Sequence, residues 1–209
     1  PILVGLFFKF VMPFANDILE EQLSFSLSPW YGLVDGMLIC LTPMFVAMIS
    51  SFLLLEELDE GISLFYQITP AGGYSYLTAR IAIPMIGAFF ITMAAAGAFN
   101  IFGLSILTIL ASSVLSALNG IFLAMIIVSL AKNRVEGLAL SKLMGVSLLG
   151  LALVWFVPEP YQYFAAFLPT FWIGKMIEAG AGFLNFIAGL LVCTLYVAGF
   201  TEKFLRRVI

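Results

Sequence analysis

Six long apolar stretches, separated by short polar segments, organise this chain. A bilayer core of about 30 Å takes roughly 20 helical residues to cross, and the stretches are of spanning or near-spanning length. They are continuously apolar, which indicates helices rather than the alternating strands of a membrane barrel. Helices also pair each backbone amide within its own segment, as lipid requires. The predicted spans cover residues 2–15, 31–55, 81–99, 104–131, 138–157 and 183–201.

The composition supports the same interpretation. Apolar residues make up 63% of the 209 residues and charged residues only 10%, too few to cover the surface of a water-soluble domain. We therefore predict an all-α integral membrane protein with a single transmembrane domain over residues 1–209. The first run begins at Pro1 without an initiator methionine, so we expect an upstream piece of chain.

Basic residues predict the orientation, because cytoplasmic loops carry an excess of Lys and Arg. Six spans place both termini on one side, and that side collects most of the basic residues: Arg80, Lys132, Arg134, Lys142, Lys203, Arg206 and Arg207. The other side has Lys175. We predict a multi-pass cell-membrane protein with both termini in the cytoplasm and external segments at 16–30, near Asn100, and at 158–182. No basic patch with interleaved aromatic residues suggests a nucleic-acid partner.

The longest predicted cytoplasmic segment covers residues 56–80. It opens on four acids, and its apolar residues recur at spacings of four, three and three: Leu58, Ile62, Phe65 and Ile68. This spacing predicts an amphipathic helix with the acids at its start, where the helix dipole favours negative charge. Thr69-Pro70 and Gly72-Gly73 would end it. The helix either meets a partner at the cytoplasmic mouth or anchors the loop among lipid headgroups, although anionic headgroups would repel the acids.

The last external segment is too apolar for a solvated loop and too interrupted for a span. Pro169, Gly180 and Gly182 break it, and Trp172 would sit at headgroup level. We predict one or two short re-entrant helices between spans five and six.

Few polar side chains fall inside the spans. Lys9 is predicted to reach a nearby interface, and Asp35 either lines a path at a dimer cavity or reaches the headgroups. Gly32 and Gly36 form a G-x-x-x-G pair, which allows close helix contact but also arises by chance. The chain has no histidine, the commonest metal ligand and general base, and no metal site is predicted.

Together these segments resemble the type-2 membrane permeases of ATP-binding-cassette (ABC) transporters, including small bacterial drug-export permeases. The resemblance covers most of the chain, and its sharpest motif is the 56–80 segment. There the acids lead to Gly61, then Leu64-Phe65, Thr69-Pro70, and Tyr74 through Leu77 to Arg80. The loop from Asn133 to Lys142 and the re-entrant segment also match. The chain departs from the family in having acids alone at the start of the motif and no lead-in helix before span one.

The resemblance implies an export permease that forms a dimer with a second copy or a homologue. It also implies that the 56–80 segment docks on a separate ATP-binding ABC subunit. The coupling residues that it implies are Glu56, Glu57, Asp59, Glu60, Ile62, Phe65, Thr69 and Pro70. The sequence itself contains no G-x-x-x-x-G-K-[ST] phosphate loop, so ATP and Mg²⁺ would bind on the partner subunit and no cofactor on this chain.

Two other classes of function fit the sequence less well. An ion- or proton-coupled carrier or channel needs ionisable residues deep in its spans, and only Lys9 and Asp35 are candidates. An intramembrane enzyme would need a paired aspartate, a serine–histidine arrangement or a metal cluster, and the sequence offers none of these patterns. We therefore expect a transport subunit rather than an enzyme.

Overall fold

The computed structural model describes residues 2–61 and 72–208, and throughout these ranges the regular structure is helical. The helices are α1 (Ile2–Leu23), α2 (Tyr31–Asp59), α3 (Gly72–Leu77), α4 (Ile83–Phe99), α5 (Ile106–Leu130), α6 (Arg134–Ser141), α7 (Leu143–Ser147), α8 (Leu149–Phe156), α9 (Pro169–Ala179) and α10 (Phe183–Val208). A π-helical turn, Thr78–Ala82, joins α3 to α4. Six helical stretches in the described residues are long and apolar enough to cross a membrane, which confirms the predicted fold class.

The second and fourth spans form the centre of the bundle. About 61% of the most apolar window of span two and 67% of that of span four are buried, against 6% for the first span and 11% for the last. Small residues on α5 allow this close packing: a Cβ on Gly120 would lie 3.0 Å from the Pro43 carbonyl oxygen of α2. Ser116 of α5 donates a hydrogen bond to the Ile39 carbonyl, 2.9 Å away. These two helices are the frame on which the other spans pack.

The first span is longer than its apolar run. Helix α1 continues to Leu23, eight residues beyond the predicted end of the span at residue 15, so the first part of the predicted external segment is helical. The apolar run ends where Asn16 and Asp17 begin a polar turn, but nothing there breaks the helix, and only the hydropathy changes. The Lys9 ammonium donates to the Ala98 carbonyl, 2.6 Å away in the last turn of α4 and close to Asn100 at the end of that helix.

The fifth span is built from three short helices, and the segment after it folds back against the bundle. Helices α6, α7 and α8 follow one another with breaks at Lys142 and Leu148. A short 3-10 turn, Tyr161–Ala165, then leads to α9, which buries Phe171 and Met176. Gly180, with φ of 81°, ends α9 in a backbone conformation that favours glycine. The predicted short helices between spans five and six are confirmed.

We call the end of the bundle that carries Arg80 and Arg134 the inner end, and the end that carries Asn100 and α9 the outer end, following the predicted orientation. The core of the predicted amphipathic helix, with Ile62, Phe65, Thr69 and Pro70, lies outside the described residues.

Candidate coupling site at the inner end of the bundle

The four acids of the 56–80 segment lie at the end of a span rather than at the start of a new helix. Glu56, Glu57 and Asp59 occupy the last turn of α2, and Glu60 follows it directly. The prediction that they begin a helix is wrong, because α2 runs through to Asp59 and no Pro or Gly lies between Pro43 and Gly61. Gly61 has φ of 73°, and its amide donates to the Leu58 carbonyl, 3.2 Å away.

The acids were predicted to lie at the start of a helix, where the dipole favours negative charge, but they lie at the end of one. Acids at the carboxyl end of a helix face the negative end of its dipole, which costs about 0.3–1 kcal/mol each at exposed positions. Nearby cations can offset this cost. The structure supplies two arginines, each from a different inner segment.

The first arginine binds the buried acid. The Glu57 carboxylate accepts a hydrogen bond from the Tyr76 hydroxyl at 2.6 Å and another from Arg80 Nε at 3.1 Å, and a second guanidinium nitrogen contacts its other oxygen. Glu57 is only 7% exposed. A carboxylate that is this deeply buried is stable when it is paired and hydrogen-bonded, as it is here. We call Glu57, Tyr76 and Arg80 the inner junction.

The second arginine is the first residue of α6, at the inner end of span five. Arg134 Nη2 lies 2.7 Å from a Glu56 oxygen and 3.7 Å from a Glu60 oxygen. Its backbone amide donates to Asp59, 3.3 Å away. The basic residues of this segment were predicted only to set the orientation, and this contact was not predicted. The opposite charges of the two loops were its only signal in the sequence.

Burial divides the four acids into two groups. The Glu57 carboxylate is enclosed by the inner junction, whereas the side chains of Glu56 and Glu60 are 41% and 56% exposed and Asp59 is also exposed. Within this cluster two arginines face four carboxylates. The exposed acids are therefore available to a basic surface, and Glu57 is not.

Asp35 holds the outer end together. It is 2% exposed, and its carboxylate accepts hydrogen bonds from the backbone amides of Ile101 at 3.0 Å and Phe102 at 2.8 Å. These amides belong to the turn between α4 and α5. Within this chain the carboxylate is therefore hydrogen-bonded inside the bundle, and its place in a path between two copies stays a prediction.

The G-x-x-x-G pair of α2 faces the fifth span and the re-entrant helix. A Cβ on Gly32 would lie 2.9 Å from Trp155 of α8, and one on Gly36 would lie 2.7 Å from Leu151 of α8. Ile177 of α9 is within 3.3 Å of both positions. The close approach is thus within one chain in this structure.

An ion-pair cluster fixes the re-entrant segment at the outer end. The Lys175 ammonium lies 2.6 Å from Glu159 and 2.7 Å from Glu178, and Lys175 is 5% exposed. Burial alone would lower the pKa of Lys175, but the two carboxylates outweigh it and the net pKa is raised. Hydrogen bonding to Lys175 and the charge of its ammonium lower the pKa of Glu159.

These shifts predict a loss of order at the outer end in acid. Because its folded pKa is lowered, Glu159 contributes stability that is present above its ordinary pKa of 4.5 and is lost as the pH falls through the folded value. The pKa of Lys175 is raised, so its contribution to stability is fully present below its ordinary pKa of 10.5 and is lost only as the pH rises through the higher folded value. We expect faster hydrogen–deuterium exchange in residues 158–179 on going from pH 7 to pH 3, after correction for the intrinsic rate. Glu159→Gln should flatten this dependence, and an unchanged profile in that variant would contradict the prediction.

An open apolar groove runs between α4 and α5. Its volume is about 380 Å³, and its lining includes Met85, Ile86, Phe89, Phe90, Leu118 and Ile121. The groove brings two of the 21 phenylalanines and one methionine together.

Six helical stretches in the described residues are long and apolar enough to span a membrane, which defines a multi-pass integral membrane protein. Residues 1–201 match the family described as "Fluoroquinolones export permease protein Rv2686c-like", and the chain belongs to this family. This match confirms the predicted resemblance to drug-export permeases.

Two relatives come from Mycobacterium tuberculosis. They are the Fluoroquinolones export permease protein MT2760 of strain CDC 1551 / Oshkosh and the Fluoroquinolones export permease protein Rv2686c of strain ATCC 25618 / H37Rv. Each is 24% identical over 166 residues, which is 78% of this chain and 66% of the relative. The chain therefore spans slightly less than two thirds of their length. No solved structure matches it.

Proposed function

We propose that this chain is the membrane permease subunit of an ATP-driven ABC exporter in the bacterial cell membrane, with both termini in the cytoplasm. It forms the substrate path with a second copy or a homologue. A separate ATP-binding subunit binds ATP and Mg²⁺ and hydrolyses the nucleotide. The family membership supports export, and the name of the relatives makes fluoroquinolones the first substrates to test.

The observation that carries the coupling proposal is the exposed acidic surface at the end of α2, whose carboxylates are only partly paired with arginine. Glu56, Asp59 and Glu60 remain exposed beside the segment that the resemblance assigns to the ATPase contact, although Arg134 already binds them. Exposed carboxylates at that position fit a basic groove on the partner. Charge complementarity of this kind selects the partner and accelerates its association.

The test is reversal of one exposed acid. Glu60→Lys should weaken association with the ATP-binding subunit roughly tenfold or more, because it places a positive charge against the basic groove. The measurement is co-purification of the tagged chain with the ATP-binding subunit, followed by ATP-dependent fluoroquinolone transport in proteoliposomes. Glu202→Lys is the matched control, since Glu202 is similarly exposed (63%) beside an arginine but lies on α10.

Glu57 is a poor choice for this test. Its reversal would disrupt the inner junction rather than a partner surface, so a loss of transport would not distinguish the two effects. If Glu60→Lys and Glu202→Lys behave alike, the acidic surface does not bind the ATPase. If no ATPase associates with the unmodified chain and an ion gradient drives transport instead, the chain is a carrier.

A further inference from the structure

The inner junction connects the two spans on either side of the 56–80 segment. Glu57 lies in the last turn of α2, Tyr76 lies in α3, and Arg80 follows at the start of span three. Their side chains meet at 2.6 Å (Tyr76 to Glu57) and 3.1 Å (Arg80 Nε to Glu57). The last turn of span two and the first turns of span three are therefore held together directly.

Arg80 lies in an irregular part of its helix. Residues 78–82 form a π-helical turn, and such turns inside α-helices are frequent at functional positions. The turn also changes the direction in which the following side chains point relative to a regular helix. The contact to Glu57 thus involves the one turn of span three whose backbone hydrogen bonding is not α-helical.

The two arginine contacts differ in how readily they can open. The Glu57 side chain is 9% exposed, and separating it from Arg80 would leave a buried carboxylate without its cation. The Arg134 and Glu56 side chains are 47% and 41% exposed, so water can replace their contact at little cost. The inner junction is the contact that stays closed, and the Arg134 contact is the one that can exchange partners.

We infer that Glu57, Tyr76 and Arg80 are positioning residues that make spans two and three move as one unit when the ATP-binding subunit displaces the 56–80 segment. This inference rests on the proposed function. A displacement applied to this segment would be lost in relative sliding of the two helices if their inner ends were free. With the junction closed, it is passed to α4 and to the central helix α2 together.

The first experiment uses the complex with its ATP-binding subunit in proteoliposomes. Arg80→Gln should leave co-purification and basal ATP hydrolysis within about twofold of the unmodified complex, while the amount of fluoroquinolone moved per ATP falls at least roughly tenfold. Arg206→Gln is the matched control, because it removes an arginine from an exposed pair at the same end of the bundle and should have no effect. Normal coupling in Arg80→Gln would overturn the inference.

A second experiment replaces the junction with a covalent link. Cysteines replace Glu57 and Arg80 in a Cys40→Ala/Cys193→Ala background, which removes both buried free thiols, and a bifunctional thiol reagent joins them. If the junction stays closed through the cycle, the reagent should restore coupling that the unjoined cysteine pair has lost. Failure to restore it overturns the inference. If the unmodified complex neither co-purifies with an ATPase nor transports, the proposed function fails and this inference fails with it.

Discussion

Replacing Gly150 with valine will displace the re-entrant helix α9 and destabilise the protein by at least about 1–3 kcal/mol, the usual cost of overpacking a core. A Cβ at this position would lie 2.5 Å from Thr170 Oγ1, 2.8 Å from the Phe171 backbone nitrogen and 2.9 Å from Leu168 Cβ. Two of these three atoms belong to the backbone or the first side-chain carbon, so rotation of a side chain cannot relieve the clash. Helix α9 itself has to move.

The surroundings leave α9 little freedom to move. Phe171 and Thr170 are fully buried, and the Thr170 hydroxyl donates to the Ser147 carbonyl at the break between α7 and α8. A shift of α9 would also disturb its contact with Gly32 and Gly36 of the central span. We therefore expect loss of cooperative unfolding, or a melting temperature several degrees lower, in lipid nanodiscs.

The fifth span offers a matched control. Gly145→Val makes the same change in helix propensity five residues earlier, but a Cβ there would meet no atom within 4 Å. We would compare the melting temperatures of the two variants by intrinsic fluorescence, together with the yield of monodisperse protein. The difference between the variants separates the cost of the clash with α9 from the effect of the changed helix propensity. Equal melting temperatures for the two variants would contradict the close contact between α8 and α9.

The spans were predictable because lipid imposes a simple requirement on the sequence. About 20 apolar residues are needed for each crossing, and a local window contains that information. Helix ends were less predictable, since a helix does not stop where its apolar run stops. Residues 16–23 of α1 and Glu56–Asp59 of α2 were both assigned outside their spans for this reason.

The charged contacts could not be predicted from local patterns. Asp35 binds amides that follow it by 66 and 67 residues, and Arg134 binds Asp59 across 75 residues. The sequence singled out Asp35 as a charge inside a span, and it named Glu57 among the coupling residues and Lys175 on the external side. It does not specify which distant element meets each one. Only the packing of α2 against α5 and of α9 against α8 brings these partners together.

The Asp35 contact leads to the second large effect. Asp35→Ala should destabilise the outer end by about 3 kcal/mol, since hydrogen bonds to a charged group contribute roughly 1.5–3 kcal/mol each and two backbone donors lose their acceptor. The carboxylate accepts hydrogen bonds from the backbone amides of Ile101 and Phe102. These amides lie past the end of α4 and have no carbonyl partner within that helix. In a low-dielectric setting such unsatisfied donors are costly.

Hydrogen–deuterium exchange can locate this effect as well as measure it. Amides at residues 101–102 should lose most of their protection in Asp35→Ala, while those of the central part of α5 should change little. Asp17→Asn is the control, because it removes an exposed carboxylate from α1 without a backbone partner at stake. If Asp35→Ala retains protection at Ile101 and Phe102, the carboxylate does not hold this turn.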